Sequence, residues 1–141
     1  MIHVAILGAA GRMGRMLIAQ IAQDPDLQLS GAVETANCPA LGQDAGVVAG
    51  VAPAAVTLTD DTEAALAGAD AVIDFTAPAC TRATAPIAAG KGVAMVIGTT
   101  GLTAEDKSTL EKLAAGGARI VLAPNMSVGV NVTLKLLDMA A

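Results

Sequence analysis

Residues 2–14 read IHVAILGAAGRMG, an apolar run followed by glycines at positions 8, 11 and 14. The run Ile2 to Leu7 is typical of a buried strand, and a helix-like run from Met13 to Gln23 follows it. Glycines at such a junction allow a sharp turn and let a phosphate approach the unpaired N–H groups of the helix start. The segment therefore predicts an anion site of the kind that holds a dinucleotide.

A second apolar run, Leu27 to Val33, ends in Glu34, twenty positions beyond Gly14 (34 minus 14). In a βαβ unit of about 30 residues, an acidic side chain at this place accepts hydrogen bonds from the adenosine ribose hydroxyls. The first gap between the glycines is one residue longer than in the commonest fingerprint. A glycine-rich turn beside a merely solvated Glu34 therefore remains the alternative.

The composition places the chain among single-domain α/β proteins and excludes several other classes. At 141 residues, with 54% hydrophobic and 1% aromatic residues, its core must be built from small aliphatic side chains, which is typical of buried parallel sheets. A net charge of −5 without Trp or Tyr argues against a nucleic-acid surface. No apolar run reaches the roughly 20 residues of a membrane span, and the N-terminus lacks a basic leader. Two cysteines without ligand spacing predict no metal and fit a reducing cytoplasm.

Four further apolar runs alternate with helix-like segments along the chain. They are Val56 to Leu58, Ala71 to Phe75, Val93 to Ile97 and Ile120 to Ala123. This alternation predicts an α/β fold with a doubly wound parallel sheet, a Rossmann-like dinucleotide-binding domain.

The connections between these runs carry more specific signals. Residues 103–106 resemble a capping box at the start of a helix, and Gly116-Gly117 would end that helix. Residues 35–55 read as a long loop with one helical turn. Pro86 is expected to bend or restart the helix over 79–89, because proline removes a backbone donor and clashes with the preceding turn.

Ligands of open parallel sheets bind at the carboxyl ends of the strands, so the residues that follow each strand are the candidate site. Small and hydroxyl residues at 98–101 would let a flat nicotinamide lie against the backbone, although a turn before the Thr103 cap explains them equally well. Asn125 either bonds a ligand or holds the turn after the last strand. We expect Asp74 to be structural, and His3 to lie near the opposite edge, which leaves no catalytic residue in this chain.

Four motifs in order resemble one enzyme family, 4-hydroxy-tetrahydrodipicolinate reductase, also called dihydrodipicolinate reductase. They are VAILGAAGRMGR (4–15), DFT (74–76), VIGTTG (96–101) and PNMSVGVN (124–131). The resemblance implies reduction of a cyclic dicarboxylate by NADH or NADPH in lysine and diaminopimelate biosynthesis, by a homotetramer. It also implies the cofactor contacts. These are Gly8, Ala9, Ala10, Gly11, Arg12 and Met13 at the pyrophosphate, Glu34 at the ribose, and Gly98, Thr99, Thr100, Ala123, Pro124, Asn125 and Met126 at the nicotinamide end.

Two departures from the family pattern modify these expectations. Thr35 stands where some members carry an Arg that can pair with a 2′-phosphate, so we predict a preference for NADH over NADPH. Compensation by Arg12 or Arg15, which would allow NADPH, is the alternative. Family members are also roughly twice as long, and their second half carries the proton-donating His-His and Lys motif, the dicarboxylate site and most of the tetramer interface. We therefore expect residues 128–141 to be the helix leading toward an absent substrate domain.

On this interpretation the 141-residue chain binds cofactor without turnover. The alternative is a non-catalytic nucleotide-binding or redox-sensing module. P-loop hydrolysis is excluded because Gly90-Lys91-Gly92 lacks the hydroxyl residue that would follow the lysine. A short-chain dehydrogenase would need a catalytic Tyr, and the chain has none.

Overall fold

The computed structural model describes residues 1–140, in which strands and helices alternate. The strands are β1 Ile2–Leu7, β2 Leu27–Val33, β3 Leu58–Thr59, β4 Ala71–Asp74, β5 Ala94–Ile97 and β6 Ile120–Leu122. The helices are α1 Arg12–Ile21, α2 Ala45–Ala49, α3 Thr62–Ala65, α4 Pro78–Lys91, α5 Ala104–Ala115 and α6 Val128–Ala140. All six predicted strands are present, with small differences in their bounds.

The strands form one sheet in the order β3-β2-β1-β4-β5-β6, and every neighbouring pair is parallel. Strands β2 and β3 are added in turn on one side of β1. The chain then crosses to the other side of β1, where β4, β5 and β6 are added in turn. The predicted doubly wound, Rossmann-like fold is confirmed. In such a sheet the strand order reverses between β1 and β4, and a crevice opens at their carboxyl ends.

The core lies on both faces of the sheet, and the alternation of side chains along β1 divides it. Ala5 and Leu7 pack with residues of α4 and α5 on one face. Val4 and Ile6 pack against Ile18 of α1 and residues of α2 on the other. Because successive side chains of a strand point to opposite faces, a strand buried on both sides is apolar at every position. This explains why the four buried positions of β1, Val4 to Leu7, are all apolar.

The long connection over 35–55 contains one short helix, as predicted. Asp44 precedes α2, and its carboxylate accepts hydrogen bonds from the Val47 and Ala54 amides, both at 3.0 Å. These backbone hydrogen bonds lower the pKa of Asp44. The predicted strand over 56–58 is displaced to Leu58–Thr59, because Thr57 forms a bridge with Asp44 instead of extending the pairing with β2.

The helices agree with their predicted signals, with one exception. Helix α5 begins with a complete capping box between Thr103 and Asp106. Helix α4 runs without interruption from Pro78 to Lys91, so of the two expected effects of Pro86 the restart does not occur, and the bend stays a prediction. The predicted helix over 128–141 is present as α6, and Ala141 lies outside the described residues. No helix within residues 1–140 has both the length and the apolar character required to cross a membrane.

Candidate functional site

The turn between β1 and α1 depends on glycine for two different reasons. Gly8 has a φ of 65°, a left-handed conformation that side chains disfavour, and a Cβ there would lie 2.9 Å from Thr76 Cγ2. Gly14 is buried inside α1, where a Cβ would lie 2.7 Å from Ala9 Cα and even closer to the Gly8 carbonyl oxygen. The glycines thus allow the turn itself and the close packing of the helix against it.

The start of α1 is open to a ligand. Its N-cap is Gly11, which offers no side-chain hydrogen bond to the helix amides, and no acidic residue occupies the first turn. The first N–H groups of a helix lack partners within the helix and carry the positive end of its dipole. With Arg12 exposed beside them, these amides form a site suited to an anion.

Glu34 is held against the glycine turn by its own carboxylate. Oε1 accepts a hydrogen bond from the Ala10 amide at 3.0 Å, and Oε2 accepts one from the Thr35 amide at 3.1 Å. The Glu34 amide in turn donates to the Thr59 carbonyl at 2.9 Å. Glu34 is therefore fixed in position and half-buried, and it is not the merely solvated side chain of the alternative interpretation.

A cavity of about 820 Å³ opens where the ends of β1, β2 and β4 meet, and we call it the main cavity. Its volume is within the range of small-molecule and cofactor sites. It is lined by Gly8, Gly11, Arg12, Met13, Gly14, Met16, Val33, Glu34, Thr35, Asp60, Thr62, Phe75, Thr76, Ala77 and Cys80. The main cavity thus combines the predicted glycine turn and acidic residue. Ala9 and Ala10 belong to the same turn without lining it.

Sequence reasoning missed Asp60 and Thr62 in this lining. Asp60 directly follows β3, and the displacement of that strand by one residue hid the place where its end would fall. The rule that strand ends carry the site would have found Asp60 had the strand been placed at Leu58–Thr59.

Residues 98–100, predicted for the nicotinamide end, lie beside the main cavity and do not line it. Gly98 packs so closely on the ring of Phe75 that a Cβ would overlap the ring atoms. Thr99 is buried and accepts a hydrogen bond from the Thr76 amide at 3.1 Å. Because Phe75 and Thr76 do line the cavity, residues 98–100 form its support on the β5 side.

Residues 123–126 follow β6, two strands away from β4. Asn125 Oδ1 accepts a hydrogen bond from the Ser127 amide at 2.8 Å, and the Asn125 carbonyl accepts one from Asn131 Nδ2 at 3.1 Å. Asn125 therefore holds the turn before α6, which is one of its two predicted roles. Its contact with a ligand, like those of Ala123, Pro124 and Met126, stays a prediction.

His3, the histidine weighed as an acid-base candidate, lies away from the cavity. His3 sits at the amino end of β1, where its amide and its Nδ1 both contact Asp70 Oδ2, at 2.8 and 3.1 Å. The hydrogen bond from the His3 amide is the main cause of a lowered pKa for Asp70. In residues 1–140, no three His, Cys, Asp or Glu side chains are grouped as metal ligands.

The amino-acid sequence was compared with the sequence profiles of known protein families. The profile of the family described as dihydrodipicolinate reductase, N-terminus, matches residues 2–126. The chain belongs to this family.

Individual relatives agree with this assignment. A 4-hydroxy-tetrahydrodipicolinate reductase of Burkholderia multivorans is 55% identical over 138 residues, which cover 98% of this chain and 51% of the relative. The enzyme of the same name from Cupriavidus pinatubonensis is 52% identical over 139 residues, covering 99% and 52%. The chain thus spans about half the length of these oxidoreductases.

Solved structures show the same fold. Dihydrodipicolinate reductase from Paenisporosarcina sp. TG-14, solved with dipicolinate, superposes with a TM-score of 0.81 at 25% identity, covering 100% of this chain and 54% of that one. An amine dehydrogenase from Mycobacterium smegmatis superposes with a TM-score of 0.70 at 22% identity, covering 86% and 39%, and this similarity concerns the fold alone.

Proposed function

We propose that this chain is the NADH-binding domain of a 4-hydroxy-tetrahydrodipicolinate reductase, which reduces a cyclic dicarboxylate on the route to diaminopimelate and lysine. The observation that carries the proposal is the main cavity, where an open helix N-terminus and a fixed Glu34 carboxylate lie together at the strand-order reversal. A nicotinamide cofactor supplies the hydride in such reductions. Neither the cavity nor the family match favours a non-catalytic or redox-sensing module.

The turn residues Gly8 to Met13 are suited to the pyrophosphate, because the α1 amides at this turn have no side-chain cap. Glu34 already uses one lone pair on each oxygen for backbone amides, and a carboxylate has capacity for about four hydrogen bonds. It can therefore still accept from ribose hydroxyls. Residues 98–100 and 123–126 are proposed for the nicotinamide end.

The described residues are suited to binding the cofactor, but the cavity lining offers no group for the proton transfer that accompanies hydride transfer. The lining of the main cavity includes no His, Lys or Tyr that could serve as a proton donor. We therefore expect the 141-residue chain to bind cofactor without turnover. The dicarboxylate substrate, a homotetrameric assembly of the full-length protein and a cytoplasmic location are part of the proposal on the family resemblance alone.

The charges at the adenosine end support a preference for NADH. Thr35 and Asp60 line the cavity next to Glu34, so two carboxylates and no cation flank the place of a 2′-phosphate on this side. Arg12 is the cation of the cavity lining, and Arg15, which does not line the cavity, donates its Nε–H to the Ala10 carbonyl at 2.8 Å. A 2′-phosphate would meet net repulsion here, whereas ribose hydroxyls would meet acceptors.

Calorimetric titration with NADH and NADPH tests the proposal. NADH should bind, and NADPH should bind more weakly. Glu34→Gln should lower NADH affinity about tenfold or more, the scale of a hydrogen bond to a charged group. Absence of heat with both cofactors would refute the binding function, and tighter binding of NADPH would refute only the preference.

A pair of substitutions at Thr35 separates charge from size. Thr35→Arg should improve NADPH binding at least about fivefold, because the guanidinium can form a bidentate pair with a phosphate. Thr35→Gln is the matched control, since it adds a long polar side chain without charge, and it should leave the ratio of the two affinities unchanged. An equal effect of both variants would contradict the electrostatic explanation.

A further inference from the structure

Asp74 ends β4 as a completely buried carboxylate, with 0% of the residue exposed. Its Oδ1 accepts hydrogen bonds from the Thr76 amide at 3.0 Å, the Thr76 hydroxyl at 2.5 Å and the Thr99 hydroxyl at 3.0 Å. Its Oδ2 accepts one from the Thr81 hydroxyl at 2.6 Å. Within residues 1–140, no basic side chain forms an ion pair with Asp74, so neutral donors alone compensate for its burial.

These donors come from three different parts of the fold. Thr76 belongs to the turn after β4 and lines the main cavity, Thr99 follows β5, and Thr81 lies in the first turns of α4. A buried carboxylate is costly unless its hydrogen bonds are formed, so the three threonines are held where their donors reach it. Asp74 thereby joins the cavity wall to the neighbouring 98–100 segment.

The direction of these hydrogen bonds determines what the cavity wall offers to a ligand. A threonine hydroxyl has one proton, and both Thr76 and Thr99 donate theirs to Asp74. Thr99 also accepts from the Thr76 amide. The Thr76 hydroxyl oxygen is therefore left as an acceptor, and a group that meets it in the cavity must be a donor.

We infer that Asp74 is a positioning residue for the nicotinamide half of the cofactor. It aligns Thr76, with Thr99 as the buried partner of the Thr76 amide, so that this wall presents the Thr76 hydroxyl oxygen as an acceptor. The carboxamide NH₂ of nicotinamide is a donor with the matching chemistry. The inference rests on the proposed function. It assigns Asp74 no contact with the ligand and no proton transfer.

Comparison of NADH with ADP-ribose, which lacks the nicotinamide, tests this role in the purified protein. The chain contains no Trp or Tyr, so the fluorescence of the dihydronicotinamide can be followed without background from those side chains. ADP-ribose binding is measured by calorimetry. Asp74→Asn keeps the size of the side chain and should weaken NADH about tenfold, the scale of one lost hydrogen bond, while ADP-ribose affinity stays unchanged.

Thr81→Val is the matched control. It removes a hydrogen bond from the same carboxylate, but the Thr81 hydroxyl bonds Asp74 Oδ2 and the Ala77 carbonyl, whereas Thr99 also holds the Thr76 amide of the cavity wall. This variant should lower stability and leave the ratio of NADH to ADP-ribose affinity as in the wild type. Thr99→Val removes the hydroxyl that accepts from the Thr76 amide and donates to Asp74, so it should reproduce the selective loss of NADH binding.

The outcomes distinguish failure of the cofactor-binding function from failure of the positioning role of Asp74. Wild-type protein that binds neither ligand overturns the proposed function. Wild-type protein that binds both, with an unchanged affinity ratio in Asp74→Asn, overturns only the positioning role, as does a Thr81→Val variant that loses NADH selectively. If Asp74→Asn does not fold, Thr99→Val decides, because a selective loss supports the inference and an unchanged ratio refutes it.

Discussion

Replacement of Gly14 by Ala should destabilise the protein and weaken cofactor binding together. The added Cβ would lie 2.7 Å from Ala9 Cα and 2.9 Å from the Ala9 carbonyl carbon. Both obstacles are backbone atoms, so no side-chain rotation relieves the overlap. Carbon atoms in contact are about 3.5 Å apart, so α1 must retreat from the turn by about 1 Å.

The net cost follows from two opposing contributions. Overpacking of this kind costs about 1–3 kcal/mol, and Ala gains about 1 kcal/mol over Gly inside a helix. Because the close contacts are with backbone on the β1 side, the overpacking cost should lie at the upper end of this range, about 3 kcal/mol, and we expect a net loss of about 2 kcal/mol in the free energy of unfolding. The retreat also moves the α1 amides, so NADH affinity should fall about tenfold or more.

Gly90→Ala provides the matched control, because Gly90 lies in α4 with nothing within 4 Å of an added Cβ. This substitution should stabilise the protein by as much as about 1 kcal/mol and leave NADH binding unchanged. Urea unfolding followed by far-ultraviolet circular dichroism measures both variants. Equal or greater stability of Gly14→Ala relative to wild type would refute the packing argument.

Two further substitutions test other parts of the structure. Gly98→Ala places a Cβ on the ring of Phe75, so the ring should be displaced at the cavity wall. NADH affinity, measured by fluorescence titration, should then fall about fivefold or more. Unchanged affinity would show that the position of the Phe75 ring does not affect binding. The pKa of Asp106 is lowered from its ordinary value of 3.8 first by the backbone hydrogen bond from Thr103, then by the Thr103 hydroxyl and by Arg82. Its stabilising contribution is therefore complete above about pH 3.8 and is lost as the pH falls through the lowered pKa. Asp106→Asn should consequently flatten the decline of the free energy of unfolding in acid. A decline identical to that of the wild type would contradict the stabilising role of the Asp106 carboxylate.

Much of the fold follows from patterns between near neighbours in the sequence. The apolar run of β1, the glycine turn and the capping box at Thr103 each depend on residues within a few positions of one another. Because these patterns depend only on the local conformation of the chain, the sequence predicts the elements with nearly correct bounds. Glu34 was also found from its spacing, because a βαβ unit of ordinary length brings the end of β2 beside the end of β1.

The failures of prediction come from contacts between distant residues. Thr57 pairs with Asp44 rather than with β2, which displaced β3 and concealed Asp60. Helix α4 continues through Pro86, where the local sequence rules left a restart open beside a bend. In both places the surrounding structure outweighs the local preference.

The sequence by itself determined the strand-helix alternation, the glycine turn between β1 and α1 and the family to which the chain belongs. Only the tertiary structure decided that Glu34 is fastened to the Ala10 amide and that Asp74 collects hydrogen bonds from Thr76, Thr81 and Thr99. The Thr99 hydroxyl stands 25 positions from Asp74 along the chain. Hydrogen bonds require donor and acceptor within about 3 Å, and over such separations only strand order and register set that distance.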